Sequence, residues 1–315
     1  MKKHDFISRV QFDRYGAAAE MYIGTYDLPQ LKNNEVRVKV KAAAINPLDW
    51  KQRLGAMKLF MSSEFPKGIG SDFSGVIEAI GKDVVNVRVG DEVFGTMDVK
   101  KPGAFAEALV TESRYVVKKP QEISFAEAAC LPIPVATAWA ALFGKAKVTS
   151  YSRVLINGCT GAVGSMAVQL AIATGASVAG TCGKASMEGA KLAGVNPIFN
   201  YADIEYLKDV EPFDVIFDTA GTLDVGRGLS MLKPKGTFID INPTPRRIFR
   251  GMLSPRYKLA FATMGIKELP QIAKLAGKGA LRPSVGLEAN FSDAVSTITA
   301  IENGQRTSGR AVLNF

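Results

Sequence analysis

The stretch Val154-Leu155-Ile156-Asn157-Gly158-Cys159-Thr160-Gly161-Ala162-Val163-Gly164-Ser165 decides how the rest of the chain is read. A short apolar run leads into glycines spaced G-x-x-G-x-x-G, and an apolar, alanine-rich segment follows over 166–174, ending at Gly175. That order predicts a strand, a tight turn and a helix. Glycines in such a turn let backbone approach a phosphate closely, and the N–H groups and dipole of the new helix favour its negative charge. Gly158 and Gly161 stand three apart, where the dinucleotide fingerprint has its first two glycines two apart. On pattern alone, a strand–helix turn without a ligand also fits.

Units of the same kind follow the turn. Further strands are predicted over 177–181, 198–201, 213–218 and 236–241, with a helix over 187–193. Strand–helix alternation implies a parallel sheet with helices on both faces. Ligands sit at the carboxyl ends of such strands, where Gly158, Thr181, Ala220 and Asn242 fall. Upstream the pattern changes near residue 124, where Ser124 and Glu127 read as a helix N-cap with its glutamate three residues on. Before that point short alternating runs over 10–12, 35–41, 75–81, 91–95 and 104–110, separated by Gly, Pro and Asp, predict a compact barrel-like β domain. Asn46-Pro47-Leu48-Asp49-Trp50-Lys51 interrupts it with a turn opening a short helix, which Asp49 is expected to cap. Downstream, 243–265 is less regular and carries Arg246, Arg247, Arg250, Arg256 and Lys258. A helix over 291–302 and a strand-like run over 310–313 close the chain.

The chain has 315 residues, 47% of them hydrophobic and 22% charged, enough for two domains and a sizeable core. Lys and Arg outnumber Asp and Glu by 39 to 30, a formal charge of +9. The basic residues are scattered without aromatic interleaving, so a solvated surface is expected rather than a nucleic-acid face. The 3 cysteines, Cys130, Cys159 and Cys182, form no C-x-x-C pair and point to a reducing compartment. Residues 1–6 lack the apolar block of a signal peptide, and no apolar run reaches the ~18 residues of a membrane span. The expectation is a soluble, cytoplasmic protein. His4 is the only histidine, which rules out a His-containing triad in the body of the fold and any multi-His metal site.

Asn46-Pro47-Leu48-Asp49, Gly70-Ser71-Asp72-Phe73-Ser74-Gly75, Thr137-Ala138-Trp139, the run from Asn157 to Gly164, Asn200-Tyr201, Phe217-Asp218-Thr219-Ala220-Gly221 and Gly309-Arg310 are short landmarks, but their order and spacing are specific. Together they resemble the medium-chain dehydrogenase/reductase superfamily, and within it the zinc-free, zeta-crystallin-like quinone oxidoreductase and enone reductase branch. The resemblance covers nearly the whole chain. It implies an α/β protein in which a Rossmann doubly wound parallel sheet (125–266) is inserted into a mostly β, GroES-like catalytic domain (1–124, completed by 267–315). Where the zinc alcohol dehydrogenases have Gly-His-Glu, this chain has Gly70-Ser71-Asp72. Their first cysteine ligand falls near Asn46, and their four-cysteine structural loop has no counterpart. A metal-free site follows, with carbonyl polarisation left to hydrogen bonds.

The second predicted strand of the inserted domain runs into Cys182-Gly183-Lys184-Ala185-Ser186 without the carboxylate that would bond NAD ribose hydroxyls. Lys184 supplies positive charge, and Thr181, Gly183 and Ser186 offer donors, so NADPH is the expected cofactor. The resemblance places the cofactor against Asn46, Thr137, the turn Thr160, Gly161, Ala162 and Val163, then Thr181, Gly183, Lys184, Tyr201, Ala220, Gly221, Asn242 and Arg310. It implies that Asn46 donates its amide near the nicotinamide. Lys51, a position held by lysine in plant enone reductases, would bond an enone oxygen or donate a proton. The expected activity is NADPH-dependent hydride transfer to a quinone or α,β-unsaturated carbonyl. An enoyl-thioester (acrylyl-CoA-like) reductase, its CoA phosphate met by the 246–258 segment, is an alternative, as is a non-enzymatic NADPH- or nucleic-acid-binding protein. A homodimer is implied by the resemblance alone.

Overall fold

In the computed structural model, residues 5–59, 61–203, 210–262 and 266–315 are described. His4 lies outside them. The chain divides into two units, Met1–Ile133 with Leu269–Phe315, and Pro134–Glu268.

The first unit opens with β1 (Phe6–Phe12), β2 (Tyr22–Asp27) and β3 (Glu35–Ala44), followed by α1 (Pro47–Arg53). Next come β4 (Lys67–Gly68), β5 (Asp72–Ile80), β6 (Glu92–Thr96), β7 (Ala108–Glu112), β8 (Val116–Lys118) and α2 (Phe125–Ala129). Alternation in β3 buries Val36, Val38 and Val40 and turns Lys39 outward, as a half-buried strand requires. Ala42, Ala43 and Ala44 are buried on both faces because α2 covers the second one, packing Ala126, Ala129 and Cys130 on Ala42, Ala44 and Val312. This packing puts α2 in the first unit, so the break falls after Ile133 rather than at 125. Ser124 and Glu127 form the expected capping box at the start of α2. The run predicted over 104–110 pairs only from Ala108 onward, apart from one bridge between Ala106 and Arg9.

α3 (Pro132–Trp139) leads into the second unit, which holds β9 (Arg153–Asn157), α4 (Ala162–Ala173), β10 (Ser177–Cys182), α5 (Met187–Leu192), β11 (Ile198–Asn200), β12 (Phe213–Asp218), α6 (Val225–Ser230), β13 (Leu232–Asp240), α7 (Pro245–Met252) and β14 (Tyr257–Leu259). Its strands form one parallel sheet in the order β11-β10-β9-β12-β13-β14. Val154, Leu155 and Ile156 at its centre are fully buried, which accounts for an unbroken apolar run where a half-buried strand would alternate. The stretch read as irregular over 243–265 contains α7, with Thr244 accepting from Arg247 N at 3.3 Å and Pro245 at its first position. That Thr-Pro start was a legible helix signal.

The chain then returns to the first unit with α8 (Leu269–Gly277), β15 (Val285–Asn290), α9 (Ala294–Glu302) and β16 (Arg310–Asn314). β16 joins the sheet β15-β16-β3-β5-β6-β8, so the tail completes the sheet that β3 began.

Candidate active site

Strand register brings the polar residues of the first unit together. β16 runs antiparallel to β3 with Val312 opposite Ala44, and Ile45 N donates to Ala311 O at 2.9 Å. Two residues further along each strand, Arg310 meets Asn46, and its Nη2 donates to Asn46 Oδ1 at 2.8 Å. On the other side of β3, Ala44 pairs with Asp72 of β5, and Asn46 Nδ2 donates to Asp72 Oδ2 and to Ala44 O, both at 3.2 Å. Asp72 Oδ2 also accepts from Ile133 N at 3.1 Å, in the first turn of α3, where the helix dipole favours negative charge. Asp49 caps α1 as expected, its Oδ2 accepting from Asn46 N at 2.7 Å while Oδ1 accepts from Ser71 Oγ at 2.8 Å.

Asn46, Asp49, Ser71, Asp72 and Arg310 are all buried. Burial pushes the Asp49 carboxyl up to about 7, against the opposing pull of the Asn46 N–H, Ser71 and Arg310. It does the same to Asp72, also to about 7, opposed first by Arg310. Cys130 lies against Arg310 and Asp72, its thiol pushed up to about 11 by burial.

The Asn46 amide nitrogen is engaged twice inside the network, with Ala44 O and Asp72 Oδ2. Arg310, expected at the cofactor, is buried with its Nη2 committed to Asn46, and its Nε has no hydrogen-bond partner. Sequence gave no sign of either contact. Lys51 stands exposed on α1, outside the network. Among the described residues no cluster of three or more His, Cys, Asp or Glu is placed to hold a metal.

In the second unit the quoted stretch forms the expected strand, turn and helix. Gly158 has φ of +82°, and a Cβ there would lie 2.9 Å from Thr219 Oγ1. A Cβ on Gly164 would lie 2.0 Å from Gly158 O, so α4 packs on the turn at a distance only glycine allows. Gly161 caps α4 and brings no side-chain acceptor to its first N–H groups. Thr160 and Gly161 are exposed, while Ala162 and Val163 are half-buried. The turn thus meets the requirements of a phosphate cradle: close backbone access and helix-terminal donors without a side-chain cap.

At the end of β10, Thr181 is spent on structure: its hydroxyl donates to Asn157 Oδ1 and accepts from Gly158 N at 3.1 Å. Its hydroxyl thus braces the turn. Gly183 is half-buried and Lys184 exposed, and Tyr201 is 54% exposed with its ring edge 3.1 Å from where a Gly183 Cβ would stand. Cys182 is buried beside Cys159, as a packed residue is expected to be; burial and its neighbour push the Cys159 thiol up to about 12. Thr137 is buried on α3.

Arg247 organises the carboxyl end of this sheet, a role that sequence reading missed. Its Nη2 donates to Asp218 Oδ2 and its Nε to Asp240 Oδ2, each at 2.6 Å, tying together the carboxyl ends of β12 and β13. Nη1 holds Gly221 O at 3.0 Å and Leu223 O at 2.9 Å. Asn242 Nδ2 donates to Thr219 O at 2.8 Å, beside Gly221, where a Cβ would lie 2.8 Å from that of Asn242. Ala220 is left exposed at this rim. The basic 246–258 segment is thus largely used internally: Arg250 pairs with Asp224 and Lys258 Nζ donates to Lys145 O at 2.9 Å.

A β unit carrying a polar network and a parallel sheet with a glycine turn together define a nucleotide-dependent dehydrogenase or reductase of the medium-chain type. The family model described as "Alcohol dehydrogenase GroES-like domain" matches residues 32–121, and that described as "Zinc-binding dehydrogenase" matches 162–241. The chain is 31% identical over 270 residues to a chloroplast envelope quinone oxidoreductase homolog of Arabidopsis thaliana, covering 82% of this chain and 80% of the relative. It is 29% identical to a 2-methylene-furan-3-one reductase of Solanum lycopersicum, covering 91% of this chain and 73% of that one. The solved quinone oxidoreductase of Coxiella burnetii superposes with a TM-score of 0.88 at 30% identity, over 99% of this chain and 100% of that one. The chain belongs to the medium-chain dehydrogenase/reductase superfamily, in its quinone oxidoreductase branch, and is an oxidoreductase.

Proposed function

We propose that this protein is a zinc-independent, NADPH-dependent reductase of quinones or α,β-unsaturated carbonyls. The observation that carries the cofactor choice is the end of β10: exposed Lys184 follows Gly183 with no carboxylate in the run Cys182–Ser186, beside the uncapped start of α4. A carboxylate there would bond ribose hydroxyls and repel a 2′-phosphate; a lysine attracts one. Tyr201 flanks that position, and Ala220, Gly221 and Asn242 form a rim kept in shape by Arg247. The dinucleotide, when bound, supplies the hydride.

The protein's own share is binding, orientation and charge. The turn at 158–164 takes the phosphates on backbone N–H groups. Asn46 and Arg310 act as positioning residues that fix the end of β3 and the start of α1. Lys51, exposed on α1, is the group proposed to hold or protonate the carbonyl oxygen. Both relatives named for quinone or furanone reduction support this substrate class. Purified protein should oxidise NADPH with a quinone or enone panel, with NADH at least tenfold poorer in kcat/KM. Inactivity across both panels, with NADPH still bound, would defeat the substrate assignment.

We also propose a homodimer built on the β14 edge. β14 ends its sheet, and Phe249, Met252 and Leu253 beside it are 72 to 80% exposed. A monomer by sedimentation at micromolar concentration would remove that proposal. Three buried, unbridged cysteines fit a reducing, cytoplasmic compartment. Among the described residues no helix is long and apolar enough to cross a membrane.

A further inference from the structure

The first unit carries a cavity of about 500 Å³ that contains none of Asn46, Asp49, Asp72 or Arg310. It is walled by β1, β4 and the 97–103 loop, with Tyr26, Phe65 and Met97 among its apolar lining. Its volume falls within the usual range for small-molecule sites, roughly 300–1,000 Å³.

Its cations are what set it apart. Arg9 and Lys67 are each only 6% exposed, on paired strands β1 and β4. Arg9 lies over the Tyr26 ring at 3.5 Å from the centroid, its Nη2 donating to Gln11 Oε1 at 3.0 Å and Pro66 O at 3.3 Å. Lys67 Nζ donates to Ser62 O, and to Glu64 O at 2.7 Å, with the Phe65 ring 4.4 Å away. These partners are neutral oxygens and ring faces. Among the described residues neither cation is within ion-pair distance of a carboxylate, although the Glu64 charge is felt at Lys67. Burial lowers the pKa of both, the signature of charge held without full compensation. Lys100 and Lys101 stand exposed at the rim, on a loop whose turn is held by Asp98. Lys32 and Glu35 also line the mouth and largely cancel, at 3.8 Å.

Buried cations beside aromatic and thioether surface cost free energy that an incoming anion recovers. We propose that this cavity binds a small amphipathic organic anion, a carboxylate, sulfonate or phosphate ester on an apolar body, at a place separate from the dinucleotide turn. The site is built before the ligand arrives: pairing of β1 with β2 holds Arg9, pairing of β1 with β4 holds Lys67, and a Cβ on Gly68 would lie 2.8 Å from Gly103 Cα, so the walls meet closely. It is also wired to the buried network, since Met97 N donates to Ser71 O at 2.8 Å and the Ser71 hydroxyl donates to Asp49.

The test uses the whole chain saturated with NADP⁺ and the aromatic sulfonate 8-anilinonaphthalene-1-sulfonate as probe, followed by fluorescence. The probe should bind with the dinucleotide site filled. N-phenyl-1-naphthylamine, which has the same rings without the sulfonate, should bind at least about tenfold more weakly, and added salt should loosen the sulfonate alone. The double variant Lys100→Gln, Lys101→Gln, on exposed loop residues, should lose about tenfold in probe affinity, and Arg9→Met more, with NADP⁺ binding retained as the check on folding. Displacement of the probe by NADP⁺, equal binding of the uncharged analogue, or unchanged affinity in the double lysine variant would each overturn the assignment.

Discussion

The glycine turn of the second unit and the carboxyl network of the first solve opposite problems with polar groups. At 158–164 the side chains are small, and the helix-terminal N–H groups are left without a side-chain cap. Around Asn46 side chains are everything: an amide, two carboxyls, a hydroxyl and a guanidinium bond one another behind a nearly closed surface. An uncapped turn is a place to receive a ligand's charge, whereas a self-bonded network sets geometry and holds protons. The difference teaches that polar groups are used in two ways in this chain, left open on backbone in the one unit and closed on one another through side chains in the other.

Breaking the turn should have the largest effect. Gly164→Val forces a Cβ 2.0 Å from Gly158 O, so α4 must leave the turn. Such a backbone clash costs about 3 kcal/mol or more, and dinucleotide affinity should fall by at least a hundredfold. Calorimetric titration with NADPH reads the second quantity and urea unfolding the first. Retained affinity would mean that the turn is only a packing device.

Next comes the network. Arg310→Met leaves two buried carboxyls without their cation and should cost about 3–5 kcal/mol in urea unfolding. The loss should be greater at pH 8 than at pH 6, because the carboxyls can shed their charge only by taking protons. In the unaltered protein both carboxyls lie near 7, above the 3.8 of a free aspartate. Their contribution to stability is therefore full below about 4 and is lost as pH rises through about 7. Asp72→Asn should flatten that slope, and a slope unchanged in the variant would assign the pH dependence elsewhere.

How far each region could be read beforehand follows from the same contrast. The turn is local: Gly158, Gly161 and Gly164 lie within seven residues, Gly158 taking a positive φ and Gly164 leaving no room for a Cβ beside Gly158 O. The network joins residues 46, 72 and 310, and a contact 264 residues apart leaves no local pattern. Asn46 was therefore legible as a landmark but not as a partner of Asp72 and Arg310. Arg247 was hidden for a similar reason: its two carboxyl partners, Asp218 and Asp240, close separate strands, and in sequence it was one arginine among several in an irregular stretch. The start of α7, by contrast, is legible locally in Thr244-Pro245.

A milder change sharpens the comparison on the affinity side. Lys184→Gln should raise the Kd for NADPH about tenfold and leave NADH unchanged, since only the 2′-phosphate meets the lost charge. Lys184→Arg should keep the preference. Equal weakening of both nucleotides would show that the lysine serves the fold instead.

The smallest effect is expected at Lys51, and it asks whether the first unit contributes anything beyond alignment. Lys51 shares α1 with Asp49, yet one side chain is exposed and the other fully buried, so the two can be separated by mutation. Lys51→Met keeps the apolar stem and removes the ammonium, leaving the cap of α1 and the Asn46 contacts in place. If the ammonium bonds the carbonyl oxygen as charge develops on it, kcat should fall about tenfold while the KM for NADPH stays put, because that interaction strengthens only as the reaction proceeds. A surface lysine without a role would leave kcat and both KM values unchanged, and the reacting oxygen would then have to find its donor among groups outside α1.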